Sequence, residues 1–242
     1  MDAAYRAAYG RLYREHWWWR ARERLLEREL SRLSAGARFG RILDVGCGDG
    51  LFFPVLERFG EPSGVEADER LLTPEGPYRS RIYAGPLDDR YQPAARFGLV
   101  LALDVVEHVT DASAFLRRVN DLLEPGGWFV ATVPALPALW TSHDTLNAHV
   151  TRYRRDEFAV LVAGAGLEVV HARYCFVWLA LAKLAVRAAE AVVPRAPRPP
   201  GIPPEPINTL LEGICLAEQA VLGRAQPPFG SSVLLIARAR SD

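Results

Sequence analysis

An α/β fold with a doubly wound, mostly parallel sheet is what the sequence predicts, on two observations. From Arg41 onward, short apolar runs alternate with helical stretches, the pattern of successive βαβ units. A glycine-rich turn, Asp44-Val45-Gly46-Cys47-Gly48-Asp49-Gly50, follows the first of those runs and leads into a helix. The 242 residues suit one large domain, or a domain with one sizeable insertion. Half of them are hydrophobic, enough to bury a full core without disulfides or structural metal.

The elements follow in order. Residues Asp2 to Leu33 are mostly polar, interleave Arg with Glu and lack Pro, so a single N-terminal helix is expected within a segment 1–40. Trp17-Trp18-Trp19 interrupts it. Three adjacent indoles cannot share one helix face, so one is expected to pack on the domain and another, with Trp18 the candidate, to face a substrate. A core over 41–175 is expected to hold strands at Arg41–Val45, Pro62–Glu66, Arg81–Ala84, Gly98–Asp104, Gly127–Val133 and Gly166–Tyr174. Helices are expected at Leu51–Arg58, Ala112–Leu123 and Arg155–Ala165. Glu124-Pro125-Gly126-Gly127 is the turn that stops the second helix and starts the next strand. A last strand, Ser232–Arg238, closes the core within 231–242.

Between them, 176–230 forms an insertion. Phe176–Val193 is almost wholly apolar, Pro194–Pro206 is a proline-rich linker, and a second helix is expected at about Ile207–Leu222. Lys183, Arg187 and Glu190 recur at helical spacing along one face of the apolar stretch, which favours an amphipathic helix over a spanning one. Such a helix can cover an active site, join a homodimer in place of a monomer, or lie on a membrane surface through 176–193.

Composition narrows the function. Lys plus Arg total 29 and Asp plus Glu total 29, a neutral balance that argues against an extended nucleic-acid footprint. Cys47, Cys175 and Cys215 have neither zinc spacing nor a disulfide framework, which fits a reducing cytoplasm. Met1–Gly10 lacks the progression of a secretory signal. A cytoplasmic protein, peripheral to a membrane if the insertion binds one, is expected.

The glycine turn points to a ligand. Glycines at alternate positions let the backbone turn sharply and approach a bound molecule with no Cβ in the way, and the following helix offers free N–H groups. A dinucleotide loop would read G-x-G-x-x-G; here the order is acid-x-G-x-G-x-G. Asp44 beside the loop suits a ligand with an ammonium group and would repel a pyrophosphate. Glu66, 22 residues after Asp44 at the end of the next strand, can accept both hydroxyls of a ribose.

These residues resemble the class I S-adenosylmethionine (SAM)-dependent methyltransferases, a Rossmann-like family, over about Arg41 to Tyr174. The first motif matches Asp44 to Gly50, the ribose acid Glu66, the fourth motif Leu101-Ala102-Leu103-Asp104, and the post-sheet signature Leu122 to Gly127 with one extra residue. The resemblance implies a seven-stranded sheet whose last strand runs antiparallel. It also implies that SAM, leaving as S-adenosylhomocysteine, is held by Asp44, Gly46, Cys47, Gly48 and Gly50 at its methionine portion and by Glu66 at its ribose. Leu103 and Asp104 complete the cofactor set, and the adenine contact falls to Asp88 or Asp89, because the family's acid near Pro86 is absent.

Glu107-His108, just past the fourth strand, resembles the ubiquinone-pathway O-methyltransferases and small-RNA 2′-O-methyltransferases, in which an acid-x-x-Glu-His group can hold a divalent metal. Asp104 is one methylene shorter than the glutamate that opens that pattern, so no metal is expected, and Glu107 and His108 stand as catalytic candidates. Thr141-Ser142-His143-Asp144 and Asn147 to Arg155 lie in a loop that commonly roofs the acceptor pocket. His143 and His149 are the general-base candidates, since imidazole titrates near working pH. Trp140, Arg152 and Tyr153 join Trp18 as substrate candidates. A small-molecule O-methyltransferase, acting on a sugar, phenol or lipid-linked hydroxyl, is the expectation. An RNA-directed methyltransferase and a SAM-binding module without turnover are the alternatives.

Overall fold

The computed structural model describes residues 3–192, 200–223 and 225–241. Two helices open the chain, α1 (Ala3–Glu15) and α2 (Trp17–Ser34). The core follows as β1 (Arg41–Val45), α3 (Phe53–Leu56), β2 (Glu61–Glu66), β3 (Ile82–Ala84), β4 (Phe97–Leu103), α4 (Ala112–Leu122), β5 (Leu123–Pro134), α5 (Ser142–Leu146), α6 (Arg155–Gly164) and β6 (Glu168–Cys175). Then come α7 (Val177–Val192), α8 (Glu205–Leu222) and β7 (Ser232–Arg238). The seven strands form one sheet in the order β3-β2-β1-β4-β5-β7-β6, with β7 antiparallel to both its neighbours and the other pairings parallel. The expected sheet is therefore present, antiparallel last strand included.

Alternation along the strands builds a core on each face. Leu43 and Val45 of β1, with Val100 and Ala102 of β4, pack against Leu116 of α4 and Phe158 of α6. Ile42, Leu99 and Leu101 point the other way, onto Leu25, Leu26 and Leu30 of α2 and Phe53 of α3. The sheet order reverses between β1 and β4, the place where an open α/β sheet offers a crevice at the carboxyl ends of its strands.

Several expectations are corrected. The N-terminal helix is two helices, because His16 takes an extended backbone (φ −82°, ψ 132°) and its imidazole accepts the Trp18 N–H, capping α2. The helix expected at Leu51–Arg58 is regular only over Phe53–Leu56. Pro54 has no N–H to return to Gly50, so the approach is made of tighter turns such as Phe53 N–H to Gly50 carbonyl at 3.0 Å. No long helix N-terminus therefore faces the glycine loop. The Glu124–Gly127 turn exists as a bulge inside β5: Phe97 pairs with Leu123 and Leu99 with Trp128, which leaves the residues between looped out.

The insertion folds back onto the core. Glu218 of α8 accepts the Val177 and Trp178 N–H groups and so caps α7, while α8 itself lies along α2. Asn208 accepts the Trp17 N–H at 2.9 Å and donates to the Glu15 carbonyl at 2.7 Å, spanning the α1–α2 break. Arg173 of β6, nearly inaccessible, is held by Glu29 and Gln219. Residues 193–199 of the predicted proline-rich linker lie outside the described residues. Among the described residues no helix is long and apolar enough to cross a membrane.

Candidate active site

The glycine loop turns at the carboxyl end of β1. Gly46 has φ +73°, and a Cβ there would meet Val105 Cγ2 at 2.5 Å, so only glycine fits. Glu66, at the end of β2, accepts the Gly48 N–H at 2.9 Å and the Asp68 N–H at 2.8 Å, tying the loop to the neighbouring strand. Asp49 accepts the Thr73 N–H at 2.6 Å, which fixes the loop's outer side. Asp44 is buried, and burial pushes its carboxyl up to about 7, against the opposing pull of Arg22. Cys47 is the exception among the loop candidates. Its thiol is turned inward against Gly64, so only its backbone belongs to the loop's ligand face.

Gly46, Gly48, Glu66, Leu103 and Asp104 border one cavity of about 1070 Å³, and Asp88 lines its far side, paired to Arg90 at 2.7 Å. Asp104 sits in the left-handed region at φ +58° and pairs with Arg22 of α2 at 2.7 Å, while accepting from the Thr132 hydroxyl at 3.1 Å. Asp tolerates that conformation better than most residues, and it aims the end of β4 into the cavity.

Beyond Asp104 the same cavity is walled by the histidine-rich loop. Glu107 is fully buried, and among the described residues neither of its carboxylate oxygens has a hydrogen-bond partner. Burial, reinforced by the negative charge of Asp104, raises its pKa well above the carboxylate range. His108 meets His149 edge to face at 4.8 Å, and burial and that neighbour lower its pKa. His149 Nδ1 lies 2.8 Å from Asp144 Oδ1. Asp144 is inaccessible and also takes the Arg152 Nε–H at 2.8 Å and the Thr141 N–H at 2.9 Å. Burial alone would raise the Asp144 pKa, but the bond from His149 and the Arg152 charge hold it well below the carboxylate range. An ionised Asp144 can only accept, so His149 donates from Nδ1, which in a neutral ring leaves the lone pair on Nε2. His143 contacts Asn147 at 2.9 Å, and burial, with Lys183 nearby, lowers it to about 4.

The structure brings most predicted site residues together and leaves five off the cavity wall: Asp44, Cys47 and Gly50, which lie behind the loop's lining glycines, and Trp140 and Tyr153. Trp140 is half-buried off the cavity wall. Tyr153 packs on Phe158 with its hydroxyl 3.5 Å from the Val106 carbonyl, and Leu136 N–H bonds the Tyr153 carbonyl, so this tyrosine braces the loop from behind. Arg152 reaches the cavity, but its guanidinium is committed to Asp144 and the Ala135 carbonyl at 2.6 Å. Trp18 lines the wall beneath the Arg22 guanidinium, 5.6 Å from the ring centre; Trp17 and Trp19 are nearly buried, against Trp178 and Tyr9. Sequence reasoning missed Arg22 and Lys183 as wall residues and Asp144 as the partner of His149. Asp144 carries a local signal, since it stands five residues before His149 in the same polar cluster.

A family model described as a methyltransferase domain matches residues 18–172. Among curated proteins, a ubiquinone biosynthesis O-methyltransferase of Bradyrhizobium sp. (strain ORS 278) is 39% identical over 108 residues, which are 42% of this chain and 42% of that one. The chain thus spans about two fifths of the length of the curated relatives it matches. A solved SAM-dependent methyltransferase from Archaeoglobus fulgidus superposes with a TM-score of 0.56 at 17% identity, over 89% of this chain and 94% of that one. An O-methyltransferase family protein from Burkholderia thailandensis does so with 0.57 at 15%, over 98% and 60%. These two likenesses speak to the fold alone. The family match covers more than half of the chain and contains the glycine loop, Glu66, Asp104 and the whole histidine-rich loop, and on that match the chain belongs to the methyltransferase-domain family.

Proposed function

We propose that the protein is a SAM-dependent methyltransferase acting on a hydroxyl oxygen of a small-molecule acceptor. One observation carries this reading: a single cavity joins the glycine loop and Glu66 at one end to the His149–Asp144 pair at the other. At about 1070 Å³ it exceeds the roughly 300–1000 Å³ of a site for one drug-sized molecule, so two reactants fit side by side. When bound, SAM supplies an electrophilic methyl on a sulfonium, and transfer is an in-line displacement that depends mainly on alignment. Asp44 faces the ammonium, Glu66 takes the ribose hydroxyls and Asp88 serves the adenine end. As the acceptor oxygen bonds the methyl carbon and the carbon–sulfur bond breaks, His149 Nε2 takes the hydroxyl proton. Asp144 orients the ring and stabilises the imidazolium, and a methyl ether and S-adenosylhomocysteine are left. The O-methylation named for the ubiquinone-biosynthesis relatives is consistent with a base at this position.

Helix α7 is read as the cover of the acceptor end, in preference to a dimer or membrane-surface element. Leu179 and Lys183 line the cavity, Ser142 bonds Glu190 at 2.5 Å, and Arg187 donates to the Ala138 carbonyl.

A divalent cation is a second reading, favoured by the unpartnered Glu107. Ligand atoms of Glu107, His108 and His149 lie within 4.8 Å of one another, and a cation there would give the buried carboxylate a partner. These three residues would hold it, and it would supply Lewis-acid activation of the acceptor oxygen. The metal-free reading comes first because Asp144 already sets the His149 tautomer.

The test is calorimetric titration with SAM and S-adenosylhomocysteine, followed by turnover against a panel of phenols and sugar hydroxyls. Micromolar binding is expected, weakened more than about tenfold by Glu66→Ala through loss of charge-assisted bonds. Unchanged binding in Glu66→Ala and Asp44→Ala, or binding of NAD in place of SAM, would overturn the assignment. Activity abolished by EDTA and restored by magnesium or zinc would move the second reading to first place.

A further inference from the structure

Among the described residues, Lys183 is the one charged side chain that the insertion contributes to the cavity wall, and the methyl-transfer chemistry described above does not use it. It stands on α7, outside the residues 18–172 that the methyltransferase-domain model matches. The helix is held in place at both ends: Glu218 caps its first turn, and Glu190 and Arg187 are tied to the loop that carries α5. Lys183 is therefore fixed over the acceptor end, beside the wall that carries His143.

Among the described residues no carboxylate forms an ion pair with Lys183. The acids nearest it electrostatically are Asp144, saturated by His149, Arg152 and Thr141, and Asp104, paired with Arg22. Glu190, on its own helix, is engaged by Ser142. The remaining neighbours, Arg152 and His143, are a cation and an imidazole. Burial and the Arg152 charge lower the Lys183 pKa to about 8, as expected of an ammonium that lacks a counter-ion. Trp18 and Leu179 supply apolar wall on the same cavity.

Resting on the methyltransferase reading, we propose that Lys183 is an anion subsite: the acceptor carries a carboxylate or phosphate that pairs with Lys183 while its hydroxyl lies at His149. The acceptor class is then an amphipathic hydroxy-acid or hydroxylated phosphate ester, with an apolar body between its two polar ends. Pairing brings an anion to a partly desolvated cation, where a charge-assisted hydrogen bond is worth more than on an open surface.

The experiment is calorimetric titration of the whole protein, alone and saturated with S-adenosylhomocysteine. The probes are 3,4-dihydroxybenzoate, phenyl phosphate and the neutral methyl 3,4-dihydroxybenzoate. Either anion is expected to bind about tenfold or more tightly than the neutral ester. Lys183→Met is expected to abolish that preference with S-adenosylhomocysteine affinity unchanged, and Lys183→Arg to keep most of it. The relative strength of the two anions tells carboxylate from phosphate. Equal binding of anions and ester, no anion binding, or a preference that survives Lys183→Met would overturn the subsite. Failure to bind S-adenosylhomocysteine, read in the same cell, would instead sink the methyltransferase reading.

Discussion

At the scale of residues, the acceptor end depends on one inaccessible carboxylate. Asp144 fixes the His149 tautomer and neutralises Arg152, both at 2.8 Å. His149→Ala is expected to cut turnover by about 10²–10⁴-fold with SAM affinity largely kept. Asp144→Asn should slow turnover comparably, because an amide no longer compels the Nδ1-protonated tautomer. It should also destabilise the fold by about 3–5 kcal/mol, since it leaves the Arg152 guanidinium buried without its counter-ion. Rate measurements and urea unfolding separate the two effects; wild-type turnover in both His149→Ala and Asp144→Asn would refute the base. The place of Gly46, Gly48 and Glu66 on the cavity wall was legible because one short stretch and one strand end carry the pattern. Arg22 and Lys183 were not, because each lies in a helix whose local pattern is that of any amphipathic helix, and only tertiary packing brings it to the cavity.

At the scale of elements, the strands were legible to within two residues except β5, which starts four residues before its expected place, because β-branched and leucine-rich runs bounded by glycine and proline have few other solutions. The connections were less so. The break at His16 has no glycine or proline to announce it, and it is held by a distant residue, Asn208 of α8. Asn208 is inaccessible and serves one backbone N–H and one carbonyl that would otherwise be orphaned at a helix junction. Asn208→Ala is expected to cost about 1–3 kcal/mol and lower the melting temperature. Because α1 and α2 carry Tyr9, Trp18 and Arg22 to the cavity, cofactor binding should weaken with it. Thermal unfolding indistinguishable from wild type would show that the junction holds without the insertion. The apolar character of 176–192 was plain in sequence, whereas its division of labour was not. One side of α7 meets the cavity through Leu179 and Lys183, and another leaves Leu181, Leu184 and Val186 exposed.

At the scale of the whole molecule, the site ties proton binding to cofactor binding. His16 and His143 are lowered by burial to about 4, so each contributes stability at neutral pH that is lost as pH falls from about 6.5 through 4. Asp44 has the opposite sign. Its folded pKa is raised to about 7, so its contribution is full below the unfolded value near 4 and is lost as pH rises through 7. An ammonium placed beside Asp44 favours the ionised carboxylate, so binding below pH 7 must release a proton, and affinity should fall as pH is lowered, approaching tenfold per unit. Above about 8 the α-amine of the ligand itself loses its proton, which weakens binding again. A maximum between about pH 7 and 8 is therefore expected for S-adenosylhomocysteine affinity, with proton release visible as a buffer-dependent binding enthalpy on the acid side. Asp44→Asn should bind more weakly throughout and lose the acid limb. If affinity at pH 5.5 equals that at 7.5, or the limb persists in Asp44→Asn, the ammonium does not sit against Asp44, and the orientation proposed for the cofactor is wrong.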